Sequence, residues 1–463
     1  MNAPDRVRRW EIRRLREAVT KLVDGSHNPP PKQDAGRPML SARNIENGQI
    51  RFDDFRYIGD ASFAVEHART RVAPGDVLLT IVGTIGRTAV VPKGMAPFAL
   101  QRSVAVLSPK QDLLPRFLSY QLQSPTAQRY FEANARGTAQ KGIYLKLLGE
   151  APIGIPSLNE QREIVAEIEK QFSRLDETVA SLSRVKIGHM RYKAALLAAA
   201  VAGRLVPTEA EVARREGRSV ETGSQHLARI LERRRIRFSG KGKYKEPIAL
   251  PQGDLTDLPD GWIWCGLEQV SAAEKHALKA GPFGSALKKD TYVESGYKIY
   301  GQEQVIRGDP YFGDYYISAE KYRELESCAV RPGDVLVSLV GTAGKVLVLP
   351  EDSAPGIINP RLIKLSLDTE GIEPKYAALV LQSPVSKHFF KLQAHGGTME
   401  ILNLGILKAL PIPLPPFVEQ HRIVAEVERC LSLVDEVADW VDTGLRRAIR
   451  LRREILQQAF AQV

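Results

Sequence analysis

Two stretches of the chain carry an apolar residue at alternating three- and four-residue steps. The first runs Val165, Ile168, Phe172, Leu175, Val179, Leu182; the second runs Val424, Val427, Leu431, Val434, Ala438, Val441, Leu445. This is the a/d spacing of a coiled-coil seam, and it predicts one long helix over 157–204 and another through the last fifty or so residues. At 1.5 Å per residue the first would run on the order of 70 Å. Pro156 and Pro415-Pro416 break the chain ahead of each helix, and Ser157 is an N-cap with Glu160 at capping-box spacing. Elsewhere the pattern is that of strands. Asp76 to Val82 is a short buried run, Gly83 and Gly86 bracket a turn, and Ala89-Val90-Val91 continues until Pro92. Val335 to Val340, the Gly341–Gly344 turn and Val346 to Leu349 before Pro350 repeat that hairpin, and Phe117–Leu122 and Tyr376–Leu381 read as short helices ended at Ser-Pro.

The repetition extends well beyond the hairpins. Pro74-Gly75-Asp76-Val77-Leu78 with Val82-Gly83-Thr84-Ile85-Gly86-Arg87 returns about 260 residues later as Pro332-Gly333-Asp334-Val335-Leu336 with Val340-Gly341-Thr342-Ala343-Gly344-Lys345. Leu122-Gln123-Ser124-Pro125 returns as Leu381-Gln382-Ser383-Pro384, Gly137-Thr138 as Gly397-Thr398, and Glu160-Gln161 as Glu419-Gln420. A whole module is duplicated. The chain therefore divides into a mixed domain over 1–155, a long helix over 156–205, a basic linker over 206–250 with one short helix from His226 to Arg235, a second mixed domain over 251–414, and a second long helix over 415–463. The fold class is α+β: two tandem mixed domains joined by two helices of equal register that pack as an antiparallel, pseudo-two-fold coiled coil. A two-copy chain suits a bipartite partner.

Composition narrows the partner. Among 463 residues the net charge is +11 with an isoelectric point near 9.4, which favours a polyanion such as nucleic acid. Cys265, Cys328 and Cys430 are far apart and form no CxxC, as expected in a reducing compartment and not in a cysteine zinc site. The apolar run Ala194–Ala202 is half the length of a membrane span, and an N-terminus bearing Arg6, Arg8 and Arg9 has no apolar core for a signal peptide, so a cytoplasmic protein is expected.

Catalytic signatures are missing from the sequence. There is no Walker A, HExxH, GxSxG or strand-borne GxGxxG motif, and the histidines lack ligand spacing. Asn28-Pro29-Pro30-Pro31 resembles the Asn-Pro-Pro-aromatic loop of amino-group DNA methyltransferases. It lacks the aromatic residue that stacks on a flipped base, and too little chain precedes it to hold a cofactor strand. What remains is a pattern for binding. The hairpin tips pair glycines with Thr84 and Arg87 in one copy and with Thr342 and Lys345 in the other, and backbone, hydroxyl and cation together suit a phosphate or a base edge. Arg43-Asn44 and Gln302 with Gln304 occupy matching positions, as do Arg102 after Gln101 and Arg361 after Asn359. Arginine reads guanine and asparagine or glutamine reads adenine in the major groove, so different residues at equivalent positions are what two readers of different sequences need. Ser26, His27, Lys141, Lys288 and Lys289 complete the candidate DNA contacts. No catalytic residue and no metal ligand is assigned.

Taken together, these segments resemble the specificity subunit of type I restriction–modification systems. The residues that carry the resemblance are Leu258-Pro259-Asp260-Gly261-Trp262, Gly281-Pro282-Phe283-Gly284-Ser285, both Pro-Gly-Asp-Val-Leu hairpins, the Glu-Gln helix starts and the linker Arg204-Leu205-Val206-Pro207. The first domain departs from the pattern, with Val7-Arg8-Arg9-Trp10 and Asp24-Gly25-Ser26-His27 in place of the first two. The resemblance implies that each domain reads one half of a bipartite double-stranded DNA site, that the coiled coil sets the unread spacer, and that two methyltransferase subunits and the restriction subunits assemble on it. S-adenosylmethionine, ATP and Mg²⁺ would then belong to those partners, with no cofactor in this chain and no membrane. Two other readings remain open on the residues alone: a self-contained DNA methyltransferase or nuclease, and a coiled-coil scaffold that binds only protein.

Overall fold

The computed structural model describes residues 10–137, 140–238, 243–250, 255–283, 286–339, 344–393 and 402–461. Thr342 with the rest of the 340–343 tip, Thr138, Gly397-Thr398, Gly284-Ser285 and Val7-Arg8-Arg9 lie outside them. The chain forms two units, the first built from two separate stretches of sequence and the second from one. The first is Met1–Val185 with Trp440–Val463, and the second is Lys186–Asp439. Each unit therefore owns one half of each long helix.

In the first unit a four-stranded sheet runs in the order Val19–Asp24, Val104–Pro109, Val77–Thr80, Thr88–Val90, all antiparallel. A three-stranded sheet sets Arg37–Leu40 between Arg56–Ile58 and Ala99–Leu100, parallel to the latter. The second unit repeats the plan with Leu278–Ala280, Leu362–Leu365, Val335–Ser338 and Val346–Val348, and with Tyr297–Tyr300 between Tyr316–Ile317 and the parallel Gly356–Ile358. The predicted hairpins are thus the third and fourth strands of each four-stranded sheet in this order. Val77, Leu78 and Leu79, like Val335, Leu336 and Val337, are fully buried because both faces of their sheet are covered. The predicted short helices are Pro115–Leu122 and Pro374–Gln382, each with proline at its first turn.

The Pro-Gly-Asp motif is a structural lock. Asp76 accepts the Ala73 N–H at 2.8 Å, the Lys21 ammonium at 2.7 Å and the Ser108 hydroxyl, which holds the turn into the strand. Asp334 accepts the Arg331 N–H in the same way, and its burial pushes its carboxyl above the usual range.

The long helices are Leu158–Val201 and Phe417–Ala459. In the first unit they run antiparallel: Gly444 faces Leu182, Arg452 pairs with Asp176 at 2.8 Å and lies over the Phe172 ring, and Phe460 packs on Phe117 and Trp10. In the second unit Lys193 faces Asp435, and Leu196, Leu197 and Val201 share a core with Ile423, Val424 and Val427. Of the predicted seam, Ile168, Phe172, Val424, Val427 and Val441 are buried, while Val165, Leu175, Val179, Leu182, Leu431, Val434 and Leu445 are half-buried. A two-helix seam has no third neighbour to close it, which accounts for the second set.

The repeated Glu-Gln pair bolts each helix start to its sheet domain. Gln161 accepts the Leu114 N–H and donates to the Asp112 and Pro156 carbonyls; Gln420 accepts the Glu373 N–H and donates to Gly371 and Pro415. Glu160 does not return to the cap as expected, because its carboxylate accepts the Trp10 indole N–H at 2.9 Å, while the Ser157 hydroxyl accepts the Glu160 N–H. Glu419 accepts from Trp262 at 2.9 Å and from the Glu209 N–H at 2.8 Å. The linker holds more structure than the sequence reading predicts. Glu209–Glu216, capped by Thr208, precedes Gly223–Ile236, and Leu227 and Ile230 of the latter enter the core of the second unit.

Candidate nucleic-acid interface

In each unit the candidate residues gather where the hairpin tip meets the turn that follows Arg37–Leu40 or its counterpart Tyr297–Tyr300. In the first unit Gly83 and Gly86 adopt φ of 80° and 92°. The Gly83 N–H donates to the Lys141 carbonyl at 3.0 Å, and Arg87 and Thr80 close the tip through N–H and hydroxyl contacts at 2.9 Å. The φ of 92° favours glycine at 86, and a Cβ there would also displace the Gln128 amide, which donates to the Gly86 carbonyl. Thr84, Arg87 and Lys141 are exposed. In the second unit the Gly344 N–H donates to Ser338, and the exposed Lys345 donates to the Ile306 carbonyl.

A second close approach brings the loop after the first strand to the same place. Added Cβ atoms on Gly25 and Gly281 would lie within 2.5 Å of the backbone at Leu100 and Asn359, respectively. Asp24-Gly25-Ser26-His27 is thus the counterpart of Gly281-Pro282-Phe283, despite the different residues. His27 is exposed and pairs with Asp24 at 2.7 Å, and Phe283, Lys288 and Lys289 are exposed. Arg102 and Arg361 are exposed beside them, the Arg361 N–H donating to Asn359 Oδ1 at 2.9 Å.

Three candidates are corrected by their packing. Asn44 is buried: its Oδ1 accepts the Ser41 N–H, and its Nδ2 donates to the Arg51 and Asp53 carbonyls at 3.1 Å. Gln304 is buried in the same way, accepting the Gly301 N–H and donating to the Phe312 carbonyl. Neither amide edge is presented outward, because each is consumed in holding its own turn. Ser26 is also buried and donates to Glu66 at 2.8 Å. Gln302 is half-buried and reaches the Ser338 hydroxyl.

Arg43 does stand outward, 66% exposed and paired with Asp54 at 2.7 Å, at the mouth of a cleft of about 220 Å³. Lys32, Ser41, Phe55, Arg56 and Gln101 also line it. Lys32 and Arg56 belong to no repeated motif and were not legible in the sequence; only the cleft reveals them. Cations, a neutral amide and an aromatic wall in one depression can meet a phosphate, a base edge and a sugar face. Among the described residues no group of His, Cys, Asp and Glu could hold a metal ion, and no helix is long and apolar enough to cross a membrane.

Comparison with known proteins agrees with this architecture. The chain is 23% identical over 391 residues to the type I restriction enzyme EcoBI specificity subunit of Escherichia coli, covering 84% of this chain and 73% of the relative. It is 23% identical to the StySPI specificity subunit of Salmonella potsdam over 92% of this chain and 82% of that one. Among solved structures it matches a chain from a study of complex assembly and conformational transition of the type I R-M system, with a TM-score of 0.65, 20% identity and 99% coverage of both chains. The family model for the type I restriction modification DNA specificity domain matches residues 9–183 and again 283–434. The chain belongs to the type I restriction modification DNA specificity family, and carries the domain twice.

Proposed function

We propose that this chain is the DNA-reading subunit of a type I restriction–modification complex, each unit reading one half of a bipartite duplex site. The observation that carries the reading is the doubled polar end: the same turns, glycine contacts and buried locks are built twice, with different exposed side chains on them. A duplicated scaffold with varied chemistry serves two different sequences. The chain acts without catalysis of its own. Methylation and cleavage belong to partner subunits, with S-adenosylmethionine, ATP and Mg²⁺ bound there, and the complex works on DNA in the cytoplasm. The long helices, 44 and 43 residues, set the unread gap between half-sites and carry two methyltransferase subunits, which restriction subunits join. Support for protein docking comes from large apolar side chains left exposed along both helices: Ile187, Met190, Leu433 and Val437 in the second unit, Trp440 and Ile449 in the first.

The test is selection of DNA from a random duplex pool by the purified chain assembled with its methyltransferase subunit. Enrichment of two blocks of defined letters at one constant separation is expected. Enrichment of a single contiguous block, or of none, would contradict the reading.

A further inference from the structure

Two turns share one backbone lock and present opposite chemistry. The strands that enter them pair alike, Met39 with Ala99 and Ile299 with Ile357, Pro38 with Tyr57 and Lys298 with Tyr316. The Ser41 and Gly301 N–H groups donate to the buried amides of Asn44 and Gln304 at 2.9 Å each. The residue just before the locking amide is held outward, and it is Arg43 in the first unit and Glu303 in the second. The facing position follows suit. Asp54, with φ of 52°, pairs with Arg43, whereas the strand register places Gly313, with φ of 77°, at the corresponding point of the second unit. Among the described residues the Glu303 side chain makes no hydrogen bond or ion pair. The first unit thus supplies donors and their counterion, and the second supplies an exposed, unpaired acceptor in a protein of net charge +11.

Guanidinium donors match the O6 and N7 acceptors of guanine. An ionised carboxylate only accepts, is repelled by phosphate, and in the major groove finds donors solely at the exocyclic amines, cytosine N4 and adenine N6. We propose that Arg43 reads a guanine in one half-site and that Glu303 reads an exocyclic amino group, of cytosine or adenine, in the other. The assignment rests on the reading of the chain as a DNA specificity subunit. Binding exchanges the Arg43–Asp54 pair for the guanine edge, while Glu303 needs no such exchange.

The experiment is methylome sequencing of cells expressing the methyltransferase subunit with the wild-type chain, with Arg43→Gln or with Glu303→Gln. Both side chains are exposed, so melting temperatures of the purified variants should match the wild type and separate lost reading from lost folding. Arg43→Gln should relax one guanine in one half-site, and Glu303→Gln one cytosine or adenine in the other, with methylation of the original site reduced on the order of ten- to a hundred-fold. The relaxed letter tells cytosine from adenine. Unchanged motifs in both variants, or relaxation of both letters within the same half-site, would overturn the assignment while leaving the bipartite reading intact. A wild-type motif that is not bipartite would overturn the reading and the assignment together.

Discussion

At the residue scale, buried amides and carboxylates hold the reading turns and helix starts in place, and their removal should be measurable. Asn44 serves three backbone groups, so Asn44→Ala should lower stability by about 1–3 kcal/mol, read as thermal unfolding of the purified chain. Trp262→Phe should cost more than Trp10→Phe in the same assay, because Glu419 is fully buried whereas Glu160 is half-buried. His226 adds a pH dependence. It is fully buried, stacks on Phe417, donates from Nε2 to the Gly371 carbonyl at 2.6 Å and accepts on Nδ1 from Arg229. Burial holds its pKa below the ordinary imidazole value; the Gly371 carbonyl and Glu221 oppose this, and Arg229 and Arg233 add to it. The unfolded chain therefore binds a proton that the folded one refuses, and the contribution to stability is lost as the pH falls through about 6.5. Between pH 7.5 and 5.5 the wild-type melting temperature should fall more than that of His226→Gln; equal slopes would contradict this. The residue scale was also where the sequence misled. Asn44 and Gln304 look like base readers, and nothing in their spacing reveals that their amides are turned inward. Glu303 lies between Gln302 and Gln304, and nothing in the sequence shows that it is the residue of the three held fully outward.

At the element scale the sequence was far more informative. Heptad spacing predicted both long helices to within a few residues, and the Pro-Gly-Asp hairpins emerged as the paired strands expected of alternating glycine turns and apolar runs. Half-helix pairing was not visible in a linear division, since each unit borrows the end of the other repeat's helix through packing that no local pattern encodes. The helix Glu209–Glu216 was missed because charge masked its Thr208–Glu211 capping box. An element-scale test follows from helix geometry. Inserting seven residues into both long helices keeps the a/d register and adds about 10 Å, which corresponds to about three base pairs. The recognised gap should lengthen by that amount with the letters of both half-sites unchanged. A change in the letters would mean that the helices do more than set spacing.

At the scale of the whole molecule, charge and exposed apolar surface divide the labour. With a net charge of +11, DNA affinity should fall steeply as salt rises, whereas the proposed docking of methyltransferase subunits on exposed apolar side chains should not. Trp440, 74% exposed, is the first residue to change: Trp440→Ala should weaken co-purification of the methyltransferase subunit several-fold and leave the melting temperature of the free chain unaltered. The central claim is that this one chain chooses the sequence. Its most direct test is to compare the methylomes of cells carrying the methyltransferase subunit with and without this chain. The account predicts a motif of two letter blocks around a constant unread gap, present only when the chain is present. An identical methylation pattern in both strains would contradict it.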